Sequence, residues 1–240
     1  MKKHNKVVII LVIIGVLTMI GGYVPVGTFF IAIAAFIYFV RRTKDHHIEK
    51  KRSINFQRAL SNPIFIDTET TGLNPNKNDE LLQIAIIDMN GNTLFYHLIK
   101  PNHRKSWPKA TDINGITPAM VKSENEIDVY LDQLIGIFEK ASCVIGYNVD
   151  FDLEFIKAAG VSYSGPTIDV MKDYANYRGI YDSYHGHNRW FKLSACASHF
   201  GYDWGNDTQH DSLSDVKATL FCFNKLRDSG YYSRAISTVK

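Results

Sequence analysis

The chain has 240 residues and a formal net charge of +3, enough for one or two domains with a sizeable core. Residues 53–240 carry 18 Lys and Arg against 22 Asp and Glu (18 − 22 = −4), and the first 52 residues carry nine basic and two acidic side chains. This asymmetry excludes a broadly basic nucleic-acid-binding protein, while Cys143, Cys196 and Cys222, widely spaced and without a Cys/His ligand pattern, argue against zinc and for buried thiols in a reducing compartment.

No charged residue occurs from Val7 to Val40. As one straight helix this run would span about 51 Å, well beyond the ~30 Å hydrocarbon core. The GGYVPVG stretch, Gly21 to Gly27, interrupts it and predicts a turn between two helices at about 7–23 and 25–40. Basic residues flank both ends (Lys2, Lys3, Lys6; Arg41, Arg42, Lys44, Lys50, Lys51, Arg52). Positive flanks on both sides predict a transmembrane hairpin in the lipid bilayer, with both termini inside; a single tilted anchor is the alternative. The expected location is thus the cell membrane, multi-pass, with the larger domain cytoplasmic. A basic juxtamembrane linker (41–62), a folded domain (63–230) and a carboxy-terminal tail (231–240) complete the expected organisation.

PIFID (63–67) reads as a short strand, followed by LLQIAIID (81–88) and TLFYHLIK (93–100), joined through Asn90-Gly91, a hairpin signal. Residues 127–141 have apolar side chains at helical spacing. A buried strand, CVIGY (143–147), precedes a helix over 152–159, with Asp150 expected as its amino-terminal cap. A short strand at 167–170 and helices over 192–200 and 212–227 close the chain, with Asp211 or Ser212 capping the last helix. An antiparallel hairpin followed by alternating strands and helices predicts an α/β domain with a mixed sheet flanked by helices.

Three acidic clusters lie at the ends of these elements. Residues i and i+2 of a strand share a face, so Asp67 and Glu69 in FIDTETTGL project together from the carboxyl end of the first strand. Asp152 follows the Cys143 strand in GYNVDFD. Asp215 sits inside the last helix of HDSLSD, with His210 just before it. Each cluster alone fits a solvated strand end or a helix start. Jointly they offer four carboxylates and one histidine. Hard oxygen donors without cysteine select magnesium or manganese, four carboxylates can hold two such ions, and histidine can deprotonate an attacking water.

With these motifs in order, the sequence resembles the DEDDh family of 3′–5′ exonucleases, which includes the proofreading subunit of bacterial DNA polymerase III and the oligoribonucleases. The resemblance covers roughly residues 63–226 and includes the auxiliary stretches INGITPAMV (113–121), TIDV (167–170) and KLSACASHFG (192–201). It implies a ribonuclease-H-like fold, with Asp67, Glu69, Asp152 and Asp215 binding two divalent cations (Mg2+ or Mn2+) and His210 as general base. It further implies that single-stranded DNA or RNA 3′ ends are hydrolysed to nucleoside 5′-monophosphates. Thr70, Gly72, Leu73, Asn148 and Phe151 would meet the terminal nucleotide, Leu73 stacking on its base. Tyr147 departs from the family, where many relatives have His before the Asn, and this bears on the support of Asp152. The competing reading is a nucleic-acid-binding module of the same fold without turnover. Between Tyr174 and Phe191 lies an aromatic-rich stretch that either packs locally or stacks unpaired bases. The His185–His187 pair within it reads as a solvent loop sooner than a metal site.

Overall fold

The first helix, α1 (Lys3–Ile20), ends where the sequence places its break: Gly21 and Gly22 form a turn in which Gly22 takes φ +85°. The second, α2, runs without interruption over Val24–Ala59, because nothing between Arg41 and Ala59 is Pro or Gly. The computed structural model describes residues 3–205 and 210–233 of the chain, which divides into two compact units, Met1–Asn55 and Phe56–Lys240.

Among the described residues, no helix is long and apolar enough to cross a membrane. This overturns the expected transmembrane hairpin, its lipid-bilayer partner and the multi-pass cell-membrane location. The turn removes Gly21, Gly22 and Tyr23 from the first helix. Its apolar part, Val7–Ile20, then covers about 21 Å, and that of α2, Val24–Val40, about 25 Å, each short of the ~30 Å hydrocarbon core. Met1 and Lys2 of the basic flank lie outside the described residues.

The second unit is built on a five-stranded sheet. Its strands β1 (Pro63–Thr70), β2 (Leu81–Asp88), β3 (Thr93–Leu98), β4 (Cys143–Gly146) and β5 (Thr167–Asp169) stand in the order β3-β2-β1-β4-β5. The β1–β2 and β2–β3 pairs are antiparallel, and β1–β4 and β4–β5 are parallel. The β2–β3 turn forms at Asn90-Gly91 as the dipeptide predicts: Gly91 takes φ +84°, and the Asp88 carboxylate accepts the amides of Asn90 and Asn92.

Helices cover both faces. Pro108–Asn114 (α3) and Pro118–Val121 (α4) pack with Trp107 over Leu82. Leu131–Lys140 (α5) and Val149–Ala158 (α6) bury Leu134, Phe138, Phe155 and Ile156 against Ile64, Ile66, Ile84 and Ile86. The opposite face, with Phe65, Ala85, Ile87 and Ile145, is covered by α7 (Val170–Arg178), α8 (Leu193–Phe200) and α9 (Ser212–Asp228). A small two-stranded hairpin, β6 (Tyr181–Asp182) and β7 (His187–Asn188), lies between α7 and α8. Alternate residues of β1 thus enter opposite cores, each large side chain contributing about 1.5–3 kcal/mol. Of the stretch expected as a tail, Tyr232 belongs to the second core and the Tyr231 hydroxyl donates to Asp173, while 234–240 lie outside the described residues.

Candidate active site

Strand β1 outruns its parallel neighbour. The β1–β4 register ends at Phe65↔Ile145, so Asp67 to Thr70 continue past the last residue of β4, Gly146. The chain turns there through Asn148, in the left-handed region at φ 68°, directly into α6. Gly146 permits the turn, since a Cβ would crowd Val149 and the Ile66 carbonyl at 3.0–3.2 Å. The first turn of α6 lies beside the uncovered end of β1, and Asp152, only 3% exposed, packs there. Its Oδ1 accepts the Thr68 hydroxyl at 2.8 Å. Asp150 does not cap α6 as expected: the cap residue is Asn148, without a side-chain capping bond, and Asp150 pairs with Lys172 at 2.6 Å. Tyr147 points away from this cluster and donates its hydroxyl to the Phe191 carbonyl. The support of Asp152 comes from Thr68.

From the other face, α9 crosses β1 and β2. Asp211 caps it, accepting the Ser214 amide, and Asp215 occupies its first turn, where the helix dipole favours an acid. His210 precedes the cap in the left-handed region at φ 67°, with its amide donating to Asp215 Oδ2 at 3.1 Å. Three contacts hold this helix start to the sheet. The Ser212 amide donates to buried Gln83 Oε1 at 2.9 Å, Gln83 Nε2 donates to the Tyr96 hydroxyl, and that hydroxyl donates to Asp211 Oδ1 at 2.7 Å. Since Gln83 is the register partner of Glu69, one sheet position ties both acidic elements together.

The result is a cluster of four carboxylates centred on Asp67. Burial raises its pKa well above the ordinary value, and the charges of Asp152, Asp215 and Glu69 add to the shift. Burial likewise raises Glu69 to about 8, with Asp215 pushing further and an Asn114 hydrogen bond opposing. Asp152 rises to about 7 through burial, opposed by Thr68. Asp215 rises to about 6 through burial, opposed by the His210 amide. Ligand atoms of Glu69, His210 and Asp215 lie within 4.8 Å of one another. All five expected residues therefore converge at the end of β1: Asp67 and Glu69 share the face to which α9 brings Asp215 and His210, and Asp152 approaches from the α6 side, held by Thr68. Four carboxylates whose negative charges repel in a poorly solvated site, with one imidazole beside them, suit a divalent cation.

The residues expected around a terminal nucleotide are less uniform. Leu73 is 82% exposed, as a stacking platform requires. The Thr70 hydroxyl is turned inward onto the Gly72 carbonyl. Gly72 itself is held against Asp79, where a Cβ would overlap the carboxylate, so its role is close packing of the loop. Phe151 packs on Phe155, and the Asn148 amide is anchored to Asp169. Thr68, Gln83, Tyr96 and Asn114 were missed by sequence reasoning. The one available signal was Gln83, a polar residue inside an otherwise apolar strand.

Carboxylates so gathered at the carboxyl end of a central strand, on a mixed sheet, define a class. The exonuclease family described as RNase_T matches residues 64–223, and the chain belongs to this family. It is a 3′–5′ exonuclease. An uncharacterized exonuclease of Escherichia phage 186 is 33% identical over 179 residues, covering 70% of this chain and 89% of the phage protein. A DNA polymerase III subunit epsilon-like protein of Rhodobacter capsulatus is 29% identical over 68% of this chain, which spans only 23% of that protein. Among solved structures, a full-length 3′-exonuclease superposes with a TM-score of 0.55 at 17% identity, covering 71% of this chain and 62% of the other. That likeness concerns the fold.

Proposed function

We propose that the protein shortens single-stranded DNA or RNA from the 3′ end, releasing nucleoside 5′-monophosphates, with Asp67, Glu69, Asp152 and Asp215 holding two divalent cations (Mg2+ or Mn2+) and His210 acting as general base. The observation that carries this reading is the convergence of four carboxylates from three elements far apart in sequence: burial raises the pKa of all four, and the charges of Asp152 and Asp215 push Asp67 and Glu69 further. Like charges gathered this closely are held apart from their ordinary ionisation until a cation offsets them. Bound there, magnesium or manganese supplies Lewis-acid charge at the phosphate and at the attacking and leaving oxygens.

The side chains do the remaining work. His210, exposed at the rim, takes a proton from the attacking water at a ring nitrogen. The water oxygen bonds to phosphorus, the P–O3′ bond breaks, and the shortened strand's 3′ oxygen takes up a proton. Leu73 offers its bare face to the terminal base. Thr70, Gly72, Asn148 and Phe151 shape the loop and helix start around that nucleotide. A remainder of charge −4 is compatible with this substrate, since a single strand end needs less basic surface than a duplex.

Digestion of a 5′-labelled strand in Mg2+ is expected to give a ladder shortening from the 3′ end, with 5′-monophosphates released. Internal fragments would overturn the exonuclease reading, early release of the 5′ label as a mononucleotide would overturn the polarity, and binding without turnover would leave only the module reading. Thr68→Val should raise the Mg2+ concentration for half-maximal activity by about 10–100-fold, because it strips the hydroxyl that orients Asp152. Thr68→Ser should restore it. An unchanged Mg2+ requirement in Thr68→Val would refute this positioning role.

A further inference from the structure

The hairpin β6–β7 and its flanks carry a line of rings that the hydrophobic cores do not use. Tyr184 is 90% exposed, Tyr181 66% and Trp190 49%. Tyr184 meets His185 at 4.9 Å, His185 meets His187 at 5.7 Å, and His187 stacks on Trp190 at 4.4 Å and 17°. The tip is held in shape: Asp182 accepts the amides of Tyr184 and His185, and the Arg189 amide donates to the Ile180 carbonyl at 2.8 Å.

Charge follows the rings. Residues 177–192 hold Arg178, Arg189 and Lys192 against Asp182 alone (3 − 1 = +2), inside a remainder whose balance is −4. The guanidinium groups of Arg178 and Arg189 lie over the Phe191 ring at 5.3 and 5.7 Å. The Phe191 carbonyl in turn accepts the Tyr147 hydroxyl at 2.8 Å, and Tyr147 follows β4 just before α6 brings in Asp152. The platform is therefore fastened to the turn between β4 and α6, the helix that carries Asp152.

From these observations we infer that the hairpin is a second contact surface for single-stranded nucleic acid, stacking unpaired bases upstream of the 3′ end while Arg178, Arg189 and Lys192 meet the phosphates. Exposed ring faces beside cations, in a local excess of positive charge, fit a strand of bases and phosphates. A protein partner would be met better by a contiguous aliphatic patch, and Ile180 is the single exposed aliphatic residue of this segment. The inference rests on the exonuclease reading above and extends it to substrate length.

The test compares the parent with Tyr184→Ala, Trp190→Ala and the double variant on a strand of about 20 nucleotides and on a dinucleotide. The platform predicts a KM for the longer strand raised about tenfold, with dinucleotide turnover at the parental rate. Parental kinetics on both substrates, or an equal fall on both, would overturn it. Should Trp190→Ala loosen the hairpin by losing its stack on His187, Tyr184→Ala decides, because its side chain is almost wholly solvent-exposed. If the parent cleaves neither substrate, the exonuclease reading fails by itself. Binding of a fluorescent single strand then decides the platform: weaker in Tyr184→Ala supports it, equal to the parent refutes it.

Discussion

Asp67→Asn is expected to abolish turnover and, in chelator, to make the protein more stable than its parent. Asp67 lies at the centre of the cluster, where burial and then Asp152, Asp215 and Glu69 oppose its ionisation. An amide of the same shape removes one of four mutually repelling charges and adds N–H donors facing carboxylate acceptors. Melting in EDTA near pH 8 should therefore rise by a few degrees, about 1–2 kcal/mol for a chain of this size. Activity in Mg2+ should fall at least ~10³-fold, corresponding to about 4 kcal/mol of lost transition-state stabilisation. A core residue would give the opposite pair, lower stability with activity spared, so this combination separates a site residue from a structural one. Retained activity would remove Asp67 from the ligand set.

The second large effect is a dependence of stability on pH that reverses with metal. Glu69, Asp152 and Asp215 have folded-state values of about 8, 7 and 6, and Asp67 is also raised, against about 4 in an unfolded chain. Between pH 4 and pH 8 the folded state thus binds more protons than the unfolded one. Stability from these groups is present at the acid end and is lost as pH rises. In EDTA, melting temperature should decline across this window. In saturating Mg2+ the decline should flatten or invert, because the cation binds the ionised carboxylates of the folded state. Comparing the two series at each pH cancels the titration of the rest of the protein. Parallel curves with and without Mg2+ would exclude the cluster as a cation site.

Several features are legible in the order of residues alone. The Asn90-Gly91 turn, the Asp211 cap of α9 and the break at Gly21-Gly22 follow from local chemistry: left-handed φ at glycine and a carboxylate facing unsatisfied amides. The amino-terminal run differs from its expectation because the turn already begins at Gly21, where the first apolar helix is expected to continue to about residue 23. Once Gly21 to Tyr23 leave the helix, neither apolar segment reaches across a hydrocarbon core. Helix α7 and the β6–β7 hairpin are equally hidden, since their aromatic and polar residues carry no clean period.

Residue order also dictates which face of β1 the first two acids share. Asp67 and Glu69 are two apart on a strand, and that periodicity is covalent. Whether Asp152 and Asp215 join them depends on tertiary packing. It takes β4 stopping short of β1, an Asn148 turn that swings α6 inward, and the Gln83–Tyr96–Asp211 chain that seats α9. The Thr68–Asp152 bond spans 84 positions and the Ser212–Gln83 bond 129. Contacts at such separations leave no local pattern to read, because they arise from packing two layers of helices on one sheet.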